Sequence, residues 1–437
     1  TDTIWSGTGS DTIAIRSGDG STTLANADVL RDFSDGNDVI GMDGLNYGDL
    51  TIDQGTGDYS SHVLLSLKSS SEYLLVIHNT SASNITAPDF SSTSTSSQSF
   101  TGDSSNNTFI GGSGNDTFSG SSGSDGLYGH GGDDSFTVSS KSGSYTDIID
   151  GGSGTDTLTI SYTGVTSLAD LTIGTDGDYR VLTDSNGGAV KFKSIETLKV
   201  GSYTYTEDSS DDTYWNSSTY ALHMYDGGST SSSSLTSLSG FSASSNMTVY
   251  GSSSADSMNL NIDRSSTLTG NLTVALGAGN DSIVSAKLKD SDSIDMGTGD
   301  DTLYVMIGGS YGTPTLSAAN ISKLDGGAGT DLIAFTESTG SNGQTLTLTT
   351  AGAVNFENLL GSAYQETLQG DANDNWIAGD NGVDTIYGNA GNDRLAAGSY
   401  SVLNYDDDDD ATSILSSVND TSNNDNDVLY GGAGNDS

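Results

Sequence analysis

The sequence predicts an all-β protein, a solenoid in which short strands wind into a parallel roll or helix with β-rich insertions. Three observations carry that prediction. Nine-residue units repeat in tandem, each opening on Gly and holding an apolar residue at position eight. Between the tandem blocks Thr alternates with Leu and Ile, as in Leu158 to Ser161 and Leu346 to Thr349. Helix signals are almost absent, and the two Pro, at 88 and 314, disrupt neither pattern.

The first block runs from Gly102 to Thr137 and reads GDSSNNTFI, GGSGNDTFS, GSSGSDGLY and GHGGDDSFT. Position six is Asn107, Asp116, Asp125 and Asp134; position eight is Phe109, Phe118, Leu127 and Phe136. A second block, Gly361 to Ala396, reads GSAYQETLQ, GDANDNWIA, GDNGVDTIY and GNAGNDRLA. Its sixth positions are Glu366, Asn375, Asp384 and Asp393, and its eighth are Leu368, Ile377, Ile386 and Leu395. Partial copies stand near both ends, around Asp11 and from Asp427 to Asp436. Single copies place Asp156, Asp281, Asp301 and Asp331 at the sixth position.

The spelling has a physical reason. Glycine lets the backbone turn with positive φ and aim carbonyl oxygens at one point. Aspartate adds a hard anionic oxygen, and calcium takes six to eight oxygens from mixed carbonyl and carboxylate shells. Two units make one coil of about 18 residues, so each turn stacks on the turn one coil later. The expected pairs are Asn107 with Asp125, Asp116 with Asp134, Glu366 with Asp384, and Asn375 with Asp393. Asp116 with Asp134 ranks first, having Asp on both sides. An isolated copy reads equally well as a glycine turn with a solvated Asp; four copies in register do not. Mutation of Asp116 or Asp134 is therefore expected to weaken calcium binding more than mutation of Asp156.

These units resemble the RTX family of secreted calcium-binding repeat proteins. The likeness extends to Asp28–Ile40, with its Asp-Phe, Gly, Asp and Ile, and to Val354-Asn-Phe-Glu-Asn-Leu359. It implies a right-handed parallel β-roll, an extracellular location and export by a type I secretion system. That system's signal normally lies at the extreme C-terminus, and this sequence, which stops inside a unit, is expected to lack it. The start at Thr1, without Met or leader, suggests a trimmed N-terminus.

Five regions are expected: an RTX-associated β segment over 1–95, a calcium roll over 96–160, a β-rich insertion over 161–270, a β-helix with scattered turns over 271–360, and a second calcium roll over 361–437. A longer repeat links Gly151–Leu158 with Gly188–Leu198, and Gly326–Ile333 with Gly352–Leu359. Each reads as a calcium turn followed by an excursion that returns to the coil. Within 209–245, the Ser-rich stretch Gly227 to Ser239 reads as a linker, and Tyr214, Trp215 and Tyr220 read as packed or forming a contact surface. Asp406 to Asp410 reads as a solvated loop.

Charge excludes several functions. Among 437 residues there are 13 Lys and Arg against 58 Asp and Glu, a net charge of −45. So few basic residues build no phosphate-binding stripe, which excludes nucleic acid, and none of the apolar runs approaches a membrane span. Zero Cys excludes disulfides, Cys-zinc sites and thiol nucleophiles. Leu, Ile, Val and Phe together sit near the disorder threshold of about 20%. A chain this acidic is expected to need calcium to fold.

No enzyme is expected. None of the four His, at 62, 78, 130 and 223, forms H-E-x-x-H, and His130 is expected to face solvent inside its turn. The one G-x-S-x-G string, around Ser310, lacks the strand–elbow–helix context, and a chain rich in Gly and Ser produces such strings by chance. The expected function is a calcium-dependent structural protein that self-assembles on the bacterial surface as an S-layer, sheath or filament. Its partners would be further copies of itself, joined end to end through incomplete terminal coils, and cell-surface polysaccharide. The alternative is a calcium-stiffened spacer within a larger secreted adhesin or hydrolase.

Overall fold

The computed structural model describes residues 1–141, 143–208, 213–225, 229–230, 244–261, 267–289, 291–306, 324–336, 344–348, 353–397 and 428–437. Ser310, Asp427, the run Asp406 to Asp410 and the linker stretch Gly227 to Ser239 save residues 229–230 lie outside the described residues. Two compact units follow one another, Thr1–Glu207 and Asp208–Ser437. Among the described residues the helices are six three-residue 3-10 turns, and everything else regular is strand. None of those helices is long and apolar enough to cross a membrane. The fold is the all-β parallel roll that the repeats predict.

In the first unit the strands of one coil alternate between two sheets. Ser99–Thr101, Thr117–Ser119, Ser135–Ser139, Thr157–Ser161 and Thr197–Val200 pair in parallel in one. Thr108–Ile110, Gly126–Tyr128, Thr146–Asp150 and Ala189–Lys193 pair in parallel in the other. Register is fixed by position eight: Phe100, Phe118, Phe136, Leu158 and Leu198 stand in one row. A slip of one residue would turn that apolar row to solvent. Phe118 stacks on Phe100 at 4.9 Å and on Phe136 at 4.8 Å, the spacing of neighbouring strands.

The same plan opens the unit. Thr12–Ile15, Val39–Met42 and Phe90–Ser92 form one parallel sheet, and Thr3–Ile4, Asp28–Leu30 and Tyr73–Ile77 begin another. Val63–Leu67 and Leu50–Gln54 extend the second sheet antiparallel, as an excursion. A second excursion, Thr172–Asp176 with Tyr179–Thr183, folds antiparallel onto Ala189–Lys193 before the chain rejoins its roll.

The second unit repeats the design with coils of unequal length. Met258, Ile283, Leu303, Ile333, Leu359, Ile377 and Leu395 form one row of stacked strands. Val249, Val274, Ile294 and Leu324 form a second. Leu346, Leu368, Ile386 and Leu429 form a third. Most of these side chains share one buried cluster with Trp215 and Phe356. Tyr214 and Trp215 are packing residues, at 1% and 4% exposure, and not a contact surface.

Phe118 is wholly buried between two rings. Phe118→Ala should cost about 3–5 kcal/mol of stability. Urea unfolding in saturating calcium measures it.

Candidate metal centre

The position-six residues form hydrogen-bonded ladders along the stacked turns. The Asp116 N–H donates to Asp134 Oδ1 at 2.6 Å, and the Asp134 N–H to Asp156 Oδ1 at 2.8 Å. The ladder begins at the Gln98 N–H on Asp116 and ends at the Asp156 N–H on Glu196 Oε2. On the opposite turns the Asn107 N–H meets Asp125, and the Asp125 N–H meets Asp147, both at 2.9 Å. The second unit runs Asp256, Asp281, Asp301, Asp331 and Glu357 in the same way. Glu366 joins Asp384, and Asn375 joins Asp393, whose own N–H meets Asp436 at 3.2 Å. Asp11 donates to Asp38 at 3.2 Å.

The four pairs expected from the 18-residue spacing are thus each joined by one such bond. Sequence reading missed several members. Asp256 follows Gly251 by five residues and precedes Met258 by two, which is the repeat with Ser in place of Gly. Glu196, after the Thr172–Thr183 hairpin, and Glu357 use longer side chains to make the bond that Asp makes elsewhere. Asp38 and Asp147 also belong to ladders; neither has Gly five residues before it.

Position five builds a second ladder in the opposite sense. The Asp133 N–H donates to Asn115 Oδ1, and the Thr155 N–H to Asp133 Oδ1. Asn280, Asp300 and Thr330 do the same in the second unit. The Asn-Asp spelling therefore ties each turn to both its neighbours.

Apart from Asp125 and Asp147, where Lys141 is the partner, the state of the other carboxylate oxygen, Oδ2, follows the backbone at position two. Where that residue is not left-handed, its N–H closes back onto the side chain. Gly112 donates to Asp116 Oδ2, Ser252 to Asp256 Oδ2, and Ser34 to Asp38 Oδ2. Where position two is left-handed, as at His130 (φ 68°), Gly152 (φ 93°) and Asn389 (φ 76°), that N–H turns away. Oδ2 of Asp134, Asp156 and Asp393 is then buried with no hydrogen-bond partner. Asp11, Asp281, Asp301 and Asp331 follow the same rule, with Gly7, Gly277, Gly297 and Gly327 left-handed. His130 is half-buried at such a position, and burial holds its imidazole below the ordinary pKa; the expectation that it faces solvent fails because its Nε2 is buried.

The open turns at Asp134 and Asp393 offer oxygens that suit a hard cation. A methyl group on Gly129 would fall on Asp134 Oδ2 and the Gly151 carbonyl; one on Gly388 would meet Asp393 Oδ2 and the Gly431 carbonyl. Carboxylate and carbonyl oxygens therefore converge from adjacent coils over a residue without a side chain. The donor set is oxygen alone, which suits calcium. Among the described residues no three His, Cys, Asp or Glu gather around one point, so main-chain oxygens would have to complete a shell.

Electrostatics points the same way. Neighbouring charges about 5 Å apart repel by roughly 3 kcal/mol at an effective dielectric near 20. Burial, opposed by the ladder hydrogen bond and reinforced by neighbouring carboxylates, pushes Asp134, Asp281 and Asp331 up to about 7 and Asp156 to about 6. Asp116 and Asp134, expected to act alike, differ: the former has both oxygens bonded, the latter only one. Asp156, expected to matter less, shares the state of Asp134.

Two outcomes follow. Asp134→Asn should weaken calcium binding roughly tenfold or more, and Asp116→Asn less, as read by calorimetric titration. In chelator, protonated carboxyls stabilise the fold fully below their ordinary pKa, and that stabilisation is lost as pH rises through about 6 to 7. The ion-free chain should therefore hold more β signal in circular dichroism at about pH 5 than at about pH 8.

Comparison with known proteins agrees with the turns. The family model for the RTX calcium-binding nonapeptide repeat matches residues 101–136, 142–159, 360–398 and 421–437. No curated protein matches the chain. Among solved structures, the extracellular lipase LipA from Serratia marcescens aligns at 14% identity and a TM-score of 0.17. That alignment covers 70% of this chain and 37% of the lipase, so the chain spans well under half of that protein. At so low a score the likeness carries no argument about activity. The ladders, the glycine turns and the family match agree: the chain carries RTX calcium-binding nonapeptide repeats, in four copies.

Proposed function

We propose that the chain is a calcium-dependent structural protein, exported by a type I secretion system to the bacterial surface. There its copies assemble into an S-layer, sheath or filament. One observation carries the reading. Open turns are spread through both units, at Asp11, Asp134 and Asp156 in the first and Asp281, Asp301, Asp331 and Asp393 in the second. The ion is then a condition of the whole fold, and not of one site within it. Calcium modules of roughly 10⁻⁴–10⁻³ M affinity belong outside cells, where the ion is plentiful.

The outer face of one sheet of the first roll supports assembly. Thr117, Ser119, Ser135, Thr157 and Ser161 point away from the core between buried Phe and Leu. Small uncharged side chains let a second sheet approach closely. Calcium also lowers the repulsion between copies that a charge of −45 imposes. The partner is a second copy of the chain, with surface polysaccharide as the anchor.

Electron microscopy of the purified chain tests this. Ordered sheets, tubes or filaments are expected in millimolar calcium and should vanish with chelator. Dispersed rods in both conditions would move the reading to a spacer within a larger secreted adhesin or hydrolase. In chelator at neutral pH the β signal in circular dichroism should be largely lost; a native-like spectrum there contradicts the calcium requirement.

A further inference from the structure

One open turn differs from the rest. Ser121, the second residue of its unit, is left-handed at φ 66°, so Oδ2 of Asp125 should lack a partner as Oδ2 of Asp134 does. It has one. The Lys141 ammonium lies 3.0 Å from Asp125 Oδ2, 2.5 and 2.6 Å from the two oxygens of Asp147, and 2.8 Å from the Gly123 carbonyl. It also sits 4.9 Å from the centre of the Tyr145 ring. The side chains of Lys141, Asp125 and Asp147 are 3%, 0% and 1% exposed.

The rung on the other side of the roll is an internal control. Asp134 and Asp156 are 22 residues apart, as are Asp125 and Asp147, and both pairs make the same N–H to Oδ1 bond. On the Asp134 side Oδ2 is bare. On the Asp125 side two carboxylates and a carbonyl close around one positive charge. Three ammonium protons meet four oxygens there, and no basic group comparable to it approaches the Asp134 rung among the hydrogen bonds and ion pairs of the described residues.

We propose that Lys141 is a resident counter-ion that fills the Asp125–Asp147 rung in place of calcium. This rests on the reading that open turns bind the ion. The rung then stays closed when calcium is withdrawn, and takes up calcium only once the ammonium is removed. The oxygens already present, Gly123 O, Asp125 Oδ2 and both of Asp147, supply part of a calcium shell, and water can supply the remainder.

The test is the number of calcium ions bound by the full chain, counted by native mass spectrometry and equilibrium dialysis. Lys141→Met and Lys141→Ala, the second leaving more room for ion and water, are compared with the wild type. One additional ion per chain in either variant is expected, together with greater loss of β signal than the wild type in low calcium. An unchanged count in both variants overturns the proposal. So does failure of both to fold in saturating calcium, because the ion would then have failed to replace the ammonium. A wild-type chain that binds no calcium overturns the calcium reading itself, and this proposal with it.

Discussion

The hydrogen bond from a position-six N–H to the side chain one coil later is the interaction on which the rest depends. It is charge-assisted where the acceptor is Asp, and such bonds contribute about 1.5–3 kcal/mol each. It also has a direction, since every donor faces the following coil. Strand register, the stacking of Phe100, Phe118 and Phe136, and the convergence of oxygens over Gly129 all presuppose turns held at this spacing. The same bond brings carboxylates into a buried column, where they repel. Cohesion and repulsion thus come from one group, and a cation separates the two effects.

The column is not uniform. Backbone conformation at one residue decides whether a carboxylate is closed by its own turn or left with an oxygen to fill. Gly adopts the left-handed state without strain, while Ser121, His130 and Asn389 adopt it at a cost of order 1–3 kcal/mol each. A roll can mix self-closed, open and lysine-filled turns with little change in strand geometry. Its demand for calcium is accordingly set turn by turn.

Much of this was legible in the sequence. Eighteen-residue spacing brought Asn107 to Asp125, Asp116 to Asp134, Glu366 to Asp384 and Asn375 to Asp393, because two nine-residue units close one coil. The apolar eighth position gave the core rows. The single copies at Asp281, Asp301 and Asp331 read as weaker signals only because their coils are longer; in space they form one ladder. Glu196 and Glu357 were visible as ends of excursions but not as ladder members, since Glu breaks the Asp spelling. Asp147 follows Asp125 by 22 residues, outside the tandem period. Lys141 could not be read at all. Its role depends on folding back over Asp125, and a lone lysine carries no motif.

The bond that closes a coil is indifferent to how much chain lies between its partners. Asp116 and Asp134 are 18 residues apart, Asp301 and Asp331 are 30, and Asp156 and Glu196 are 40, with a whole hairpin folded between the last two. Length is therefore a free variable on the periphery, while the turns keep the register. Such a frame works as a rack. It can gain, lose or exchange peripheral modules in descent or by design without renegotiating its core, provided that each insert returns to the roll with a carboxylate in place.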